Sequence, residues 1–168
     1  MKKLTLVLTT VLFLSSLSLS ARGEDVTLLL TVRSEVNDAP VKIDLRLGLW
    51  KEGLDGLDPL DTRAMENGQF DAWFELPPAF GETVPARLWW DIRSRSPEQV
   101  WTLQIVFPQK SPVFLDWKML GVPGDLEKLS FVVVEPESGH ETYLNQSAGS
   151  LSLISAGQKR FMIRSQSK

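Results

Sequence analysis

The chain has 168 residues, with 18 Lys and Arg, 21 Asp and Glu, one His, no Cys and a net charge of −3. That length suits one domain, and a balance of 43% hydrophobic to 23% charged residues excludes global disorder. Without Cys there is no disulfide scaffold, thiol nucleophile, Cys-bound zinc or iron–sulfur cluster; one His excludes a multi-His metal site, and the acidic balance speaks against nucleic acid as a partner.

The chain opens on Met1-Lys2-Lys3, and Leu4 to Leu19 follows as an apolar stretch with small hydroxyl residues and no charge. This is the layout of a secretory signal, with small residues placed for cleavage near Ser20 or Gly23. The reading is therefore a signal peptide over 1–23 and one domain over 24–168. The rival reading is an uncleaved anchor, but the stretch is short for a full span and polar at its end. No Cys is there to accept a lipid, and no later segment is apolar enough to span a bilayer. The expected location is secreted or periplasmic.

From Val26 onward the main signal is period two, the mark of strands with one buried face. Val26 to Val32 is the first such segment. In Val41 to Trp50, Val41, Ile43, Leu45, Leu47 and Leu49 alternate with Lys42, Asp44, Arg46 and Gly48. Phe70 to Leu76, Arg87 to Arg93, Trp101 to Phe107 and Val113 to Lys118 repeat the pattern. Leu129 to Val134 is apolar on nearly both faces and suits a central strand. Met119 to Lys128 has room for one helical turn. Glu141 to Asn145, Ser150 to Ile154 and Arg160 to Arg164 complete the strands. Turn chemistry separates them, at Asn37-Asp38-Ala39-Pro40, Pro77-Pro78, Pro108, Pro123-Gly124-Asp125, Glu137-Ser138-Gly139 and Ala156-Gly157. The expected fold is all-β, a single immunoglobulin-like antiparallel β-sandwich of about ten short strands.

The loop after Trp50 carries Asp55, Asp58 and Asp61, spaced by three, with Gly56 and Pro59 between them. Carboxylates in a tightly turned loop suit calcium, the one cofactor the sequence suggests. The spacing does not match an EF-hand, and the favoured reading is that these side chains hold turns by accepting backbone N–H groups.

Six tryptophans is a high count for this length. Trp90, Trp101 and Trp117 are in phase with apolar neighbours and read as core. Trp73 and Trp89 are out of phase, among Asp71, Glu75, Asp91 and Arg93. Exposed indoles beside carboxylates suit stacking on sugar rings, so polysaccharide is one candidate ligand. The competing reading packs these rings under a loop or under Arg87 or Arg93. No catalytic residues stand out. His140 lies in a turn without an assigned Asp and Ser, acidic pairs are generic in such a fold, and the glycines are scattered.

One resemblance rests on the order of short motifs. Leu45-Arg46-Leu47-Gly48 leads to an acidic loop, then Asn67-Gly68-Gln69-Phe70-Asp71 and Glu75-Leu76-Pro77-Pro78. Asp91-Ile92-Arg93, Trp101-Thr102-Leu103-Gln104-Ile105, Leu115-Asp116-Trp117 and Val122-Pro123 follow. This order resembles a β-rich module of exported bacterial multidomain proteins, often found beside fibronectin type III or immunoglobulin-like repeats. It departs from that pattern at Asn67, where the module has Asp, at the inserted Gln69 and in a proline run of only two. The resemblance implies an extracytoplasmic setting and a β-rich fold, and no reaction. It also places Phe70 to Leu76 in a long loop, against the period-two reading, and an Arg93–Asp71 pair joins the segments if they are neighbours. The expectation is a non-enzymatic exported protein that contacts another protein or an envelope component, with a carbohydrate-binding module as the alternative.

Overall fold

The computed structural model describes residues 25–78, 83–96, 98–107, 111–144, 146–153 and 157–168. The signal reading over 1–23 lies outside them, as do the expected turn or strand-end residues Pro108, Asn145, Ile154 and Ala156. Among the described residues strand takes 62% and helix 3%, so the expected all-β class holds.

The elements in chain order are β1 (Val26–Val36), β2 (Ala39–Leu49), β3 (Thr62–Arg63), β4 (Asp71–Leu76), β5 (Ala86–Arg93), β6 (Val100–Phe107) and β7 (Val113–Leu120). A single helical turn α1 (Pro123–Leu126) leads to β8 (Leu129–Glu135), β9 (His140–Tyr143), β10 (Ala148–Leu153) and β11 (Gly157–Ser167). Ten of these strands form one hydrogen-bonded path, β10-β7-β1-β2-β5-β4-β6-β11-β8-β9, with β3 attached to β5. The sheet is curled and mixed. Its neighbours run antiparallel except at β2 and β5, where Arg46 to Leu49 run parallel to Trp90 to Arg93. The purely antiparallel arrangement expected from the sequence is corrected at that pair.

Local chemistry explains the pieces. Asn37 and Asp38 adopt φ of 52° and 63°, the left-handed pair that a two-residue hairpin turn needs to match the strand twist between β1 and β2. Asp71 to Leu76 forms a strand, which settles the sequence conflict in favour of the period-two pattern. The inward residues Leu28, Leu30, Leu45, Leu47, Phe74, Leu88, Trp101, Leu103, Leu115, Phe131 and Ile163 meet in one core. Each large aliphatic or aromatic side chain so buried contributes about 1.5–3 kcal/mol. Trp117 is half-buried against that core, where Gly149 of β10 lies under its ring.

One irregularity changes which residues face in. Thr62 pairs with Trp90 and Arg63 with Leu88, leaving Trp89 as an extra residue in β5. This bulge reverses the alternation beyond it. Leu88 faces the core, Trp89 packs half-buried against it, and Trp90 turns outward at 39% exposure. Trp90 is therefore not the core residue that its spacing from Leu88 suggests. Asp91 becomes buried, in register with Leu47 of β2.

Candidate functional site

The tryptophans proposed for sugar stacking do not form a joint exposed platform. Trp73 is 7% exposed, and the Arg87 guanidinium lies 3.8 Å from its ring centroid. Arg87 is held there by the buried Asp71 carboxylate, with which it makes a close ion pair, and by Glu66 at 3.0 Å. The cation thus occupies the ring face that a sugar would need. Trp89 packs against the core, and its buried Nε1 has no hydrogen-bond partner among the described residues. Trp90 carries a similar cover, with Arg46 4.2 Å from its ring. Arg93 does not pair with Asp71; it pairs with Asp91, two residues back along its own strand.

The three loop aspartates are each engaged by protein donors. Asp55 Oδ1 accepts the Ser94 hydroxyl at 2.6 Å, the Ser94 N–H at 3.2 Å and Gln99 Nε2 at 2.8 Å. Asp58 accepts the N–H groups of Leu54 and Leu60, which wraps the loop into a turn. Asp61 accepts the Asp58 N–H through one oxygen and the Ile92 N–H through the other. Among the described residues no three His, Cys, Asp or Glu side chains gather as a metal site would need. The bonds of the Ser94 hydroxyl hold the Asp55 carboxyl below the ordinary aspartate range. Burial pushes Asp61 above it, outweighing its two backbone donors.

These loop contacts belong to a polar cluster at one end of the core. Arg93 Nε and Nη2 donate to the two Asp91 oxygens at 2.9 Å each, the parallel fork that suits a guanidinium and a carboxylate. Arg93 Nη1 donates to the Val100 carbonyl at 2.6 Å, and Trp101 Nε1 donates to the Asp91 carbonyl at 3.3 Å. Gln99 and Ser165 exchange bonds that tie Gln99 to β11. Gly53 closes the arrangement: a Cβ there would lie 2.3 Å from the Arg93 carbonyl, so only glycine allows this approach. The cluster is saturated with internal partners, and this closed, bonded arrangement reads as structure.

The opposite situation holds at the two ends of the strand path. A cavity of about 160 Å³ lies between β10 and the strands β8, β9 and β11, lined by Val133, Leu151, Leu153 and Phe161 with Glu135, His140, Thr142 and Ser152. Of the two edges beside it, β9 is charged: His140 and Glu141 lie on it, and Arg164 reaches across from β11 to Glu141 at 2.8 Å. Val132 and Val134, buried outside the main core, lie in the registers of Arg164 and Glu141. β10 reads Ala-Gly-Ser-Leu-Ser-Leu, with no charge and no proline. It pairs with β7 on one side, and among the described residues no strand pairs on the other. The alternation of Ser and Leu was legible as a strand; that it is an edge depends on sheet order, which a single strand does not encode. Comparison with protein-family models, with curated proteins and with solved structures finds no match to this chain.

Proposed function

We propose that this chain is an exported, non-enzymatic β-rich protein that contacts another protein in a surface assembly by adding a strand to its sheet. The observation that carries this reading is the β10 edge: six residues of extended backbone with neither charge nor proline to guard it. Natural edges are usually guarded by such devices, because unpaired N–H and C=O groups are a template for another strand. Strand addition draws affinity from that main chain and specificity from alternate side chains. The opening Lys2-Lys3 and apolar stretch support export, and the motif order shared with exported bacterial modules supports the same setting. We also read the curled sheet as an immunoglobulin-like two-layer sandwich, since β10 and β8–β11 line a shared cavity; the parallel β2–β5 pair is its departure from that plan.

The test is co-sedimentation of residues 25–168 with cell envelopes, protease-treated envelopes and insoluble polysaccharides. Binding to envelopes that protease treatment abolishes is the expected result. Binding to a polysaccharide that is lost in Trp73→Ala/Trp89→Ala, with folding intact, would overturn it in favour of a sugar-binding module.

A further inference from the structure

The backbone of β10 specifies what can cover it. The Met119 N–H donates to the Ser147 carbonyl at 2.7 Å, so those two residues form a hydrogen-bonded pair one step before the Ala148–Lys118 pair. Antiparallel ladders alternate bonded and non-bonded pairs. Gly149, Leu151 and Leu153 therefore turn their backbone groups to β7, while Ala148, Ser150 and Ser152 turn theirs to the free edge. The same three residues are exposed and carry small side chains, and Ser152 also lines the cavity beside β9.

We infer that β10 pairs antiparallel with β10 of a second copy of this chain, on a two-fold axis through Ser150. This rests on the reading of β10 as a strand-accepting edge and names its partner. In that register Ser150 faces Ser150 of the second copy and Ala148 faces Ser152, so all the free-edge groups meet in about six hydrogen bonds. The parity keeps Gly149 beside Leu151 on the inner face of both copies, so the alternation of the sheet continues across the axis. A second copy fits because the edge is uncharged and self-pairing brings no like charges together. An antiparallel pair of identical strands is also self-complementary, which gives a closed dimer. At the other edge, self-pairing of β9 centred on Glu141 would set carboxylates face to face.

Ser150 offers a clean test, since its N–H faces away from β7 and proline is tolerated at such an edge position. Sedimentation equilibrium of residues 25–168 over a concentration series should give the mass of two chains, and Ser150→Pro should give one. Ser150→Lys and Ser150→Glu, each placing like charges across the axis, should also be single chains, and their mixture should recover the dimer. That rescue separates loss of pairing from loss of folding. A wild-type chain that stays single throughout, or a dimer that persists in all three variants, overturns the inference. A single wild-type chain whose envelope binding is nonetheless lost in Ser150→Pro would leave strand addition standing with a different partner. A dimer without any envelope binding would leave self-pairing standing and remove the proposed assembly role.

Discussion

At the closed end of the core, Asp91 and Arg93 sit two residues apart on β5, with both Asp91 oxygens bonded by one guanidinium. At the seam, Ala148, Ser150 and Ser152 hold backbone groups toward the outside with no described strand to meet them. Both regions are polar, yet only the first contains ionised groups taken out of water. A buried ion pair must be satisfied within the molecule, because either partner left alone is costly. An exposed edge is satisfied by water until a strand replaces it. Charge, burial and internal bonding therefore mark scaffold in this chain, whereas the neutral, water-held backbone of β10 is what the proposed second strand would meet.

The largest effect should come from breaking the closed end. In Asp91→Ala the Arg93 guanidinium, 12% exposed, keeps its place beside Trp101 without its carboxylate. The expected loss is about 3–5 kcal/mol, read by urea denaturation. A loss below about 1 kcal/mol is what a surface pair would give, and would show that this end is open to solvent.

Next comes a substitution on β10 that acts on the core and spares the edge. A Cβ at Gly149 would lie 2.2 Å from the Trp117 ring, whose Nε1 is anchored on the Gln146 carbonyl at 3.2 Å. Gly149→Ala should cost about 1–3 kcal/mol through overpacking. Ser150→Pro, one residue on, should cost less than that when both variants are compared as single chains, since its N–H faces away from β7. Equal losses in the two variants would mean that the edge side of β10 is packed as tightly as its β7 side.

Much of this contrast was readable before the fold was known, but not its cause. Alternation is local, so Val41 to Trp50 and Trp101 to Phe107 announce their strands unaided. The two residues of β3 are too few to show a period. The extra residue Trp89 is visible only against Thr62 and Arg63, so spacing placed Trp90 in the core and gave Asp91 no inward role. The turn-forming aspartate was legible at Asp58, whose acceptors serve its own loop. Asp55 instead reaches Ser94 and Gln99, about forty residues away, a contact set by tertiary structure.

The acid limb should separate the loop carboxylates at the closed end. Asp55 lies below the ordinary aspartate range when folded, so its contribution is full above the unfolded value, about pH 4, and is lost as pH falls through the folded one. Asp61, raised by burial, has the opposite sign: its contribution is full below about pH 4 and lost as pH rises through its folded value. Asp55→Asn should therefore flatten stability between about pH 5 and pH 2, and Asp61→Asn should steepen it. Denaturation midpoints across that range decide the point; parallel wild-type and variant curves would show that neither carboxylate is linked to folding.

The smallest effect should appear at the seam, on Asp116 of β7. Its carboxyl is held below the ordinary range chiefly by the Arg33 side chain, with Ser150 of β10 adding a second, weaker hydrogen bond. Asp116 and Ser150 are direct partners in the β7–β10 ladder, which sets the Ser150 side chain on the same face as the Asp116 carboxyl it helps to hold. Ser150→Ala removes that hydroxyl and keeps the N–H and C=O that a second strand would need. The Asp116 carboxyl should then titrate at a higher pH, still below the ordinary range because Arg33 remains, as followed by NMR of its side-chain carbon. The dimer should survive in the same sample. If the dimer dissolved in Ser150→Ala, the serine side chain rather than the backbone ladder would be what the second copy recognises, and the division between the bonded Asp91–Arg93 cluster and a backbone-only edge would fail at its simplest point.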